Sequence, residues 1–296
     1  MTQQANLLLD ADDLSLEIAP PGASDVHRAT RFSPAAHLLQ ARYRDRSYLF
    51  RRGSPMEFDI GERTLPPGFD GCAPGDAFVK IGVGLLERDS DAAYSFSHVY
   101  PVRLRPETTL TADRSRARFV QRLEPGDTPI GYELSVDVRL EGNKATLEYA
   151  LENLGAEAFE TEQYLHNFAC LDGAPLSPDY TVAVGYDCTV CDSIGSRLAE
   201  PATALVRSID SRTFGFDAAT SEERAKVFFR PLEAEGRQRW SIENAATTTR
   251  MTIEADRPPL VSALYVTHEQ ISLEMNVAVT VGPGTTARWT RRYEFA

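Results

Sequence analysis

From Tyr132 to Leu140 apolar side chains fall at every second position (Tyr132, Leu134, Val136, Val138, Leu140), with Glu133, Ser135, Asp137 and Arg139 between them. A strand turns successive side chains to opposite faces, so such a segment buries one face of a sheet and leaves the other polar. Glu141-Gly142-Asn143-Lys144 follows, and Leu147, Tyr149 and Leu151 alternate back. Gly and Asn tolerate the positive φ of a tight turn, which makes this stretch a β-hairpin.

The same period recurs along the chain. Arg239 to Glu243 and Arg250 to Glu254 read as a second hairpin, stopped by Asp256-Arg257-Pro258-Pro259. Leu260 to Val266, Ile271 to Val281 and, after Gly282-Pro283-Gly284, Ala287 to Phe295 are each of strand length and bounded by turn residues. Helical signals are few. Pro34 to Gln40 is expected to form a turn or two of helix, and Arg44-Asp45-Arg46-Ser47 a turn. Thr220 to Ala225, with acids behind a capping residue, is expected to form a short helix. Neither could cover a sheet. The fold class expected is all-β, one large antiparallel β-sandwich spanning 1–296, with long loops over Pro66 to Gly75 and Leu171 to Pro178.

Composition then narrows the function classes. The chain has 296 residues, 42% of them hydrophobic, and can bury a full core. Its formal net charge of −12 and pI near 5.0 argue against nucleic acid as a partner, because tracking phosphates needs a basic patch. Leu7-Leu8-Leu9 is broken by Asp10 and has no basic residues before it, so no signal peptide is expected. No apolar run approaches the roughly 18 residues of a membrane helix. A cytoplasmic protein, monomer or homodimer, without a membrane partner, is the expectation. Four cysteines suit a reducing compartment. Cys188-Thr189-Val190-Cys191 lacks a second ligand pair for zinc and a βαβ setting for redox chemistry, so two plain thiols are the favoured reading.

Only five histidines are present, at 27, 37, 98, 166 and 268. His166 stands out, because in an alternating strand Tyr164, His166 and Phe168 share a face. That would give a surface fit for a sugar ring with a titratable group at its centre. The alternative is a buried histidine bonded to backbone. Glu274 lies opposite the apolar face Ile271, Leu273, Met275, Val277 and Val279, beside Ser272 and Asn276. Pattern alone favours a solvated face for it over a general base in a cleft. Arg31 and Arg103 are candidate clamps for hydroxyl or carboxylate groups. A metal held by His98, His166 and Glu274 is conceivable from residue type, but no metal and no cofactor are expected.

Four stretches together resemble the galactose mutarotase-like superfamily, the aldose 1-epimerases and their relatives. They are Leu14 to Ile18 with Pro21-Gly22-Ala23 and the strands near Leu38 and Tyr48; the hairpin leading through Asn153 to Tyr164-Leu165-His166-Asn167-Phe168; Met251 to Pro258 followed by Leu264-Tyr265; and Ile271-Ser272-Leu273-Glu274 with Gly282-Pro283-Gly284-Thr285 and the last strand. The resemblance implies His166 as the general acid on the ring oxygen of a pyranose and Glu274 as the general base on the anomeric hydroxyl. The residues expected to bind substrate are His98 and Lys80, by their place relative to the family's pattern, together with Tyr164, Asn167 and Arg31. Lys80, in Phe78-Val79-Lys80-Ile81-Gly82-Val83-Gly84-Leu85, stands where aldose 1-epimerases carry Asn-Arg, and a surface lysine is the competing reading. His98 stands where the family has a second histidine. The family's substrate-binding Asp has no clear counterpart, although Asp187 and Asp192 occupy the comparable stretch.

The expected function is therefore that of an aldose 1-epimerase-like enzyme exchanging the anomers of a small-molecule carbohydrate, a hexose or modified sugar. A lyase or isomerase of an oxidised sugar on the same scaffold, and a non-catalytic sugar-binding module, are the alternatives.

Overall fold

The computed structural model describes residues 5–23, 29–50, 52–61, 63–191, 193–194, 197–198, 205–217, 223–230 and 237–296. Among them there is no α-helix, and a 3-10 turn spans Leu171–Gly173. Two antiparallel sheets dominate. The first runs Leu7–Ala11, Leu14–Ala19, Phe32–Tyr43, Ser54–Phe58, Phe159–Leu165, Gln270–Val281, Val261–Thr267, Arg224–Arg230, Thr189–Cys191. The second runs Val206–Ser208, Thr213–Phe216, Tyr180–Ala183, Gln238–Asn244, Thr249–Ala255, Thr286–Phe295, Lys144–Asn153, Tyr132–Glu141, Arg116–Leu123, Glu107–Ala112.

The inner faces of the two sheets meet in one continuous cluster. Ile18, Met56, Phe58, Leu165, Leu273, Met275 and Val277 come from the first, and Val136, Leu147, Ile242, Ile253, Trp289 and Tyr293 from the second. The expected all-β sandwich is the architecture found. The hairpin read from alternation pairs Glu141 with Lys144 across Gly142, which has φ +58°. The second expected hairpin pairs Asn244 with Thr249.

The helix expected over Pro34 to Gln40 is not there: these residues lie inside the Phe32–Tyr43 strand. The register against Ser54–Phe58 shifts between Ser33 and Leu38, and Ala36 has φ +51°. A bulge adds residues to one strand, so apolar positions lose their alternation and imitate a helical spacing. Of the helix expected over Thr220 to Ala225, residues 220–222 lie outside the described residues, and Arg224–Arg230 is a strand. No helix is long and apolar enough to cross a membrane among the described residues.

A small sheet of Ala77–Lys80, Gly84–Glu87 and Val102–Leu104 stands apart from the two large ones. It has its own cluster of Phe69, Phe78, Val83, Leu86 and Tyr100. The same segment delivers Lys80 and Tyr94 to the polar face of the first sheet, described below.

The bulged strand can lie against Ser54–Phe58 only because residue 53 has no side chain. Gly53 has φ +62°, and a Cβ there would stand 1.8 Å from the carbonyl oxygen of Leu38. Gly53→Ala is expected to lower the stability by about 3 kcal/mol or more, combining left-handed strain with backbone displacement. The measurement is the urea unfolding midpoint, and an unchanged midpoint would refute this account of the bulge.

Candidate active site

The first sheet carries a second row of side chains, opposite its core face. On Ser54–Phe58, Met56 and Phe58 enter the core, so Glu57 points the other way. Directly opposed partners share a face, and Glu57 is opposed by Phe32 on one side and Tyr164 on the other. On Gln270–Val281 the core takes Leu273 and Met275, which leaves Ser272 and Glu274 on the Glu57 side. Lys226 joins them from Arg224–Arg230, where Ala225 and Val227 are core residues.

His166 enters this row through a break in the ladder. Gln163 is opposed by Val277 and Phe168 by Ser272, so the pairing resumes in its original register and sets His166 across from Glu274. At the break Asn167 has φ +49°, a conformation Asn accepts more readily than most residues. Side chains capture the carbonyls released there. Asn167 Nδ2 donates to Leu165 O at 3.3 Å and Leu273 O at 3.0 Å, and the Ser272 hydroxyl donates to His166 O.

The resulting cluster is compact and buried. His166 Nδ1 stands 3.8 Å from Glu274 Oε1 and 3.3 Å from the Tyr164 hydroxyl. Its Nε2 is 3.2 Å from Glu57 Oε2. Glu274 Oε2 pairs with Lys226 Nζ at 3.1 Å, and Glu57 with Arg31 Nε at 2.9 Å and Lys80 Nζ at 3.8 Å. The His166 ring packs edge-on to Phe32 and stacks on Phe168, at 5.2 and 5.1 Å between centroids. Glu57 and Lys80 are 0% exposed, Glu274 4% and His166 5%, whereas the Arg31 and Lys226 side chains keep 30% and 28%. Cations therefore form the accessible part, and the carboxylates lie beneath them.

Burial pushes both carboxyls up, but their partners prevail. His166, Lys80 and Arg31 hold Glu57 below its ordinary value, and Lys226, His166 and the Tyr164 hydroxyl do the same for Glu274. Both are ready acceptors. Burial drives the Tyr164 phenol well above its ordinary range, so it remains a donor. Burial also pulls Lys80 down, against Glu57 and Asp59, and its Nζ donates to the Tyr94 hydroxyl at 2.6 Å.

The structure thus brings together His166, Glu274, Tyr164, Lys80 and Arg31. Glu274 is not on a solvated face and Lys80 is not a surface lysine, because the outward face of this sheet is itself covered. Two residues expected to bind substrate are placed elsewhere. The His98 ring turns to Asp89, with Nε2 2.7 Å from Oδ2, and packs on Tyr100. It does not join His166 and Glu274, so the three-ligand metal arrangement is not formed. Asn167 is fully buried and uses its amide internally: besides its two donations, Oδ1 accepts from Ser54 Oγ at 3.0 Å and Tyr293 Oη at 2.6 Å. Its amide serves the break in the ladder and does not face the cluster. Asp187 pairs with Arg212 on the surface, Arg103 with Glu87, and Asp192 lies outside the described residues. All four cysteines are free thiols. A depression of about 520 Å³ lined by Thr111, Arg116, Arg118, Asp137, Arg139 and Glu148 contains none of the clustered residues.

Glu57 and Lys226 escape sequence reasoning. Each is a lone charge between apolar neighbours, Met56 and Phe58 or Ala225 and Val227, and that pattern is the same for a wet face as for a covered one.

Asp59, two residues beyond Glu57, accepts from Thr64 Oγ1, Thr161 Oγ1 and the Glu162 amide, yet burial pushes its carboxyl up to about 6. The folded chain then holds this proton more tightly than the unfolded chain, so stability falls as pH rises from about 4 to about 6. Asp59→Asn lacks that slope. Between pH 4 and pH 7 the wild type should lose on the order of 3 kcal/mol relative to Asp59→Asn in urea unfolding. Parallel pH profiles would refute it.

No protein-family model matches the chain, and no curated protein sequence does. Solved structures do. A galactose mutarotase related enzyme from Lactobacillus acidophilus superposes with a TM-score of 0.61 at 10% identity, covering 98% of this chain and 97% of that one. A galactose mutarotase-like protein from Lactobacillus casei gives 0.57 at 12%, covering 99% and 100%. Galactose 1-epimerase from Lactobacillus acidophilus gives 0.55 at 13%, covering 98% and 94%. With its two large antiparallel sheets and these end-to-end superpositions, the chain has the galactose mutarotase-like fold.

Proposed function

We propose that this protein is an aldose 1-epimerase-like enzyme that interconverts the anomers of a sugar, with His166 as general acid and Glu274 as general base. The observation that carries the reading is their juxtaposition: a ring nitrogen and a carboxylate oxygen 3.8 Å apart on one sheet face, each also held by a charged partner. That spacing suits a donor and an acceptor serving two oxygens bonded to one carbon, which is what an anomeric centre presents.

Ring opening requires a proton delivered to the ring oxygen while another leaves the anomeric hydroxyl. His166 supplies the first and Glu274 accepts the second. Closure on the other face of the carbonyl returns both, so the enzyme ends as it began. Proton transfer alone suffices, and the work of the site is to hold both groups at one sugar. Lys226 keeps Glu274 ionised, and Phe32, Tyr164 and Phe168 pack around the His166 ring and fix its orientation. Names of structural neighbours, a galactose 1-epimerase among them, agree with this reading and leave the sugar open.

Saturation-transfer NMR on neutral, uronic and keto sugars tests it. Catalysed anomer exchange should fall by about 10²- to 10⁴-fold in His166→Ala and in Glu274→Gln, with the fold preserved by circular dichroism. Full exchange in both variants would overturn the assignment. New olefinic signals would point to elimination instead, and binding without turnover to a sugar-binding module.

A further inference from the structure

His166 is held at both ring nitrogens, and the two sides differ in kind. Toward Nδ1 lie the Tyr164 hydroxyl and Glu274, the pair that faces the proposed chemistry. Toward Nε2 lies Glu57, fully buried on the adjoining strand. Glu57 is itself surrounded by cations. Arg31 Nε donates at 2.9 Å to the same Oε2 that meets His166, and Lys80 Nζ stands 3.8 Å from Oε1. A carboxylate so flanked is ionised and can only accept, so the hydrogen between Glu57 and His166 belongs to Nε2. Arg31 is fixed in turn, with its guanidinium 4.7 Å from the Phe32 ring centroid and 4.4 Å from that of Phe96.

We propose that Glu57 is a positioning residue: it pins a proton on Nε2 of His166, oriented through Arg31, and thereby makes Nδ1 the nitrogen that gives and takes the proton at the ligand. Its kinetic consequence rests on the acid–base reading above; the proton's location does not. In ring opening the bond from the anomeric carbon to the ring oxygen breaks, its electron pair goes to that oxygen, and the Nδ1 proton follows. Glu274 takes the hydroxyl proton as the carbonyl forms. The Nε2 proton stays with Glu57 throughout, its charge facing the ring while both nitrogens are protonated.

The experiment is two-bond proton–nitrogen correlation on protein labelled with ¹⁵N-histidine, His166 being identified by its loss in His166→Gln. Nε2 should resonate as a protonated nitrogen in the wild type and in Glu274→Gln. In Glu57→Gln it should move toward the bare-nitrogen position as the proton passes to Nδ1 beside Glu274. Exchange kinetics on the same samples should show kcat at least tenfold lower in Glu57→Gln, with a smaller change in KM, and partial recovery in Glu57→Asp. A bare Nε2 in the wild type overturns the proposal, as do unchanged nitrogen shifts and kcat in Glu57→Gln. If no sugar is turned over, the function reading fails while the nitrogen shifts still decide this one. Should Glu57→Gln not fold, the wild-type and Glu57→Asp spectra settle the nitrogen.

Discussion

The side chain of Asn167 replaces a piece of β-ladder, and the site depends on that substitution. Where Phe159–Leu165 stops pairing with Gln270–Val281, two carbonyls are met by its amide, and a third by the Ser272 hydroxyl. Its own oxygen is met by Ser54 and Tyr293. Buried backbone groups left unpaired would each cost as much as a lost hydrogen bond, so the break is tolerable because it is fully satisfied. In return, the sheet keeps its register and gains a residue whose ring is free to stand off the backbone toward Glu274.

The charged row is the costly part of the fold. Removing an ion from water costs several kcal/mol, and here Glu57, Glu274 and Lys80 are all nearly or wholly buried. Each is offset by opposite charge from another part of the chain, so the row works as a unit: Arg31 and Lys80 on Glu57, His166 between the two glutamates, Lys226 on Glu274. Such an arrangement adds little net stability compared with apolar packing, which points to a functional reason for its presence.

How much of this was readable from the chain depends on what pattern can express. Alternation from Tyr132 to Leu151 and from Ile271 to Val281 declared the strands, and the shared face of Tyr164, His166 and Phe168 was legible from the same rule. Bulges defeat it, as at Pro34 to Gln40. So does cover, because alternation separates two faces without saying what lies on each. Glu57 reads as a solvated position until Lys80 and Arg31 are seen to cover it, and Lys226 as a plain surface cation until the buried Glu274 is seen beside it. His98 and Asn167 show the converse limit: the right residue types in plausible stretches, with rings or amides committed elsewhere.

His166 stands opposite Glu274 because the pairs Gln163–Val277 and Phe168–Ser272 on either side of the ladder break keep one register, with Asn167 bonding the carbonyls between them. Arg31 with Phe96, and Lys80 with Tyr94, reach the site from outside those two strands. The His166–Glu274 pair and the side chains around it are thus supplied by separate parts of the chain. Under the proposed roles, such a division would let insertions and substitutions in the covering segments change which molecule is admitted while the His166–Glu274 pair stays in place.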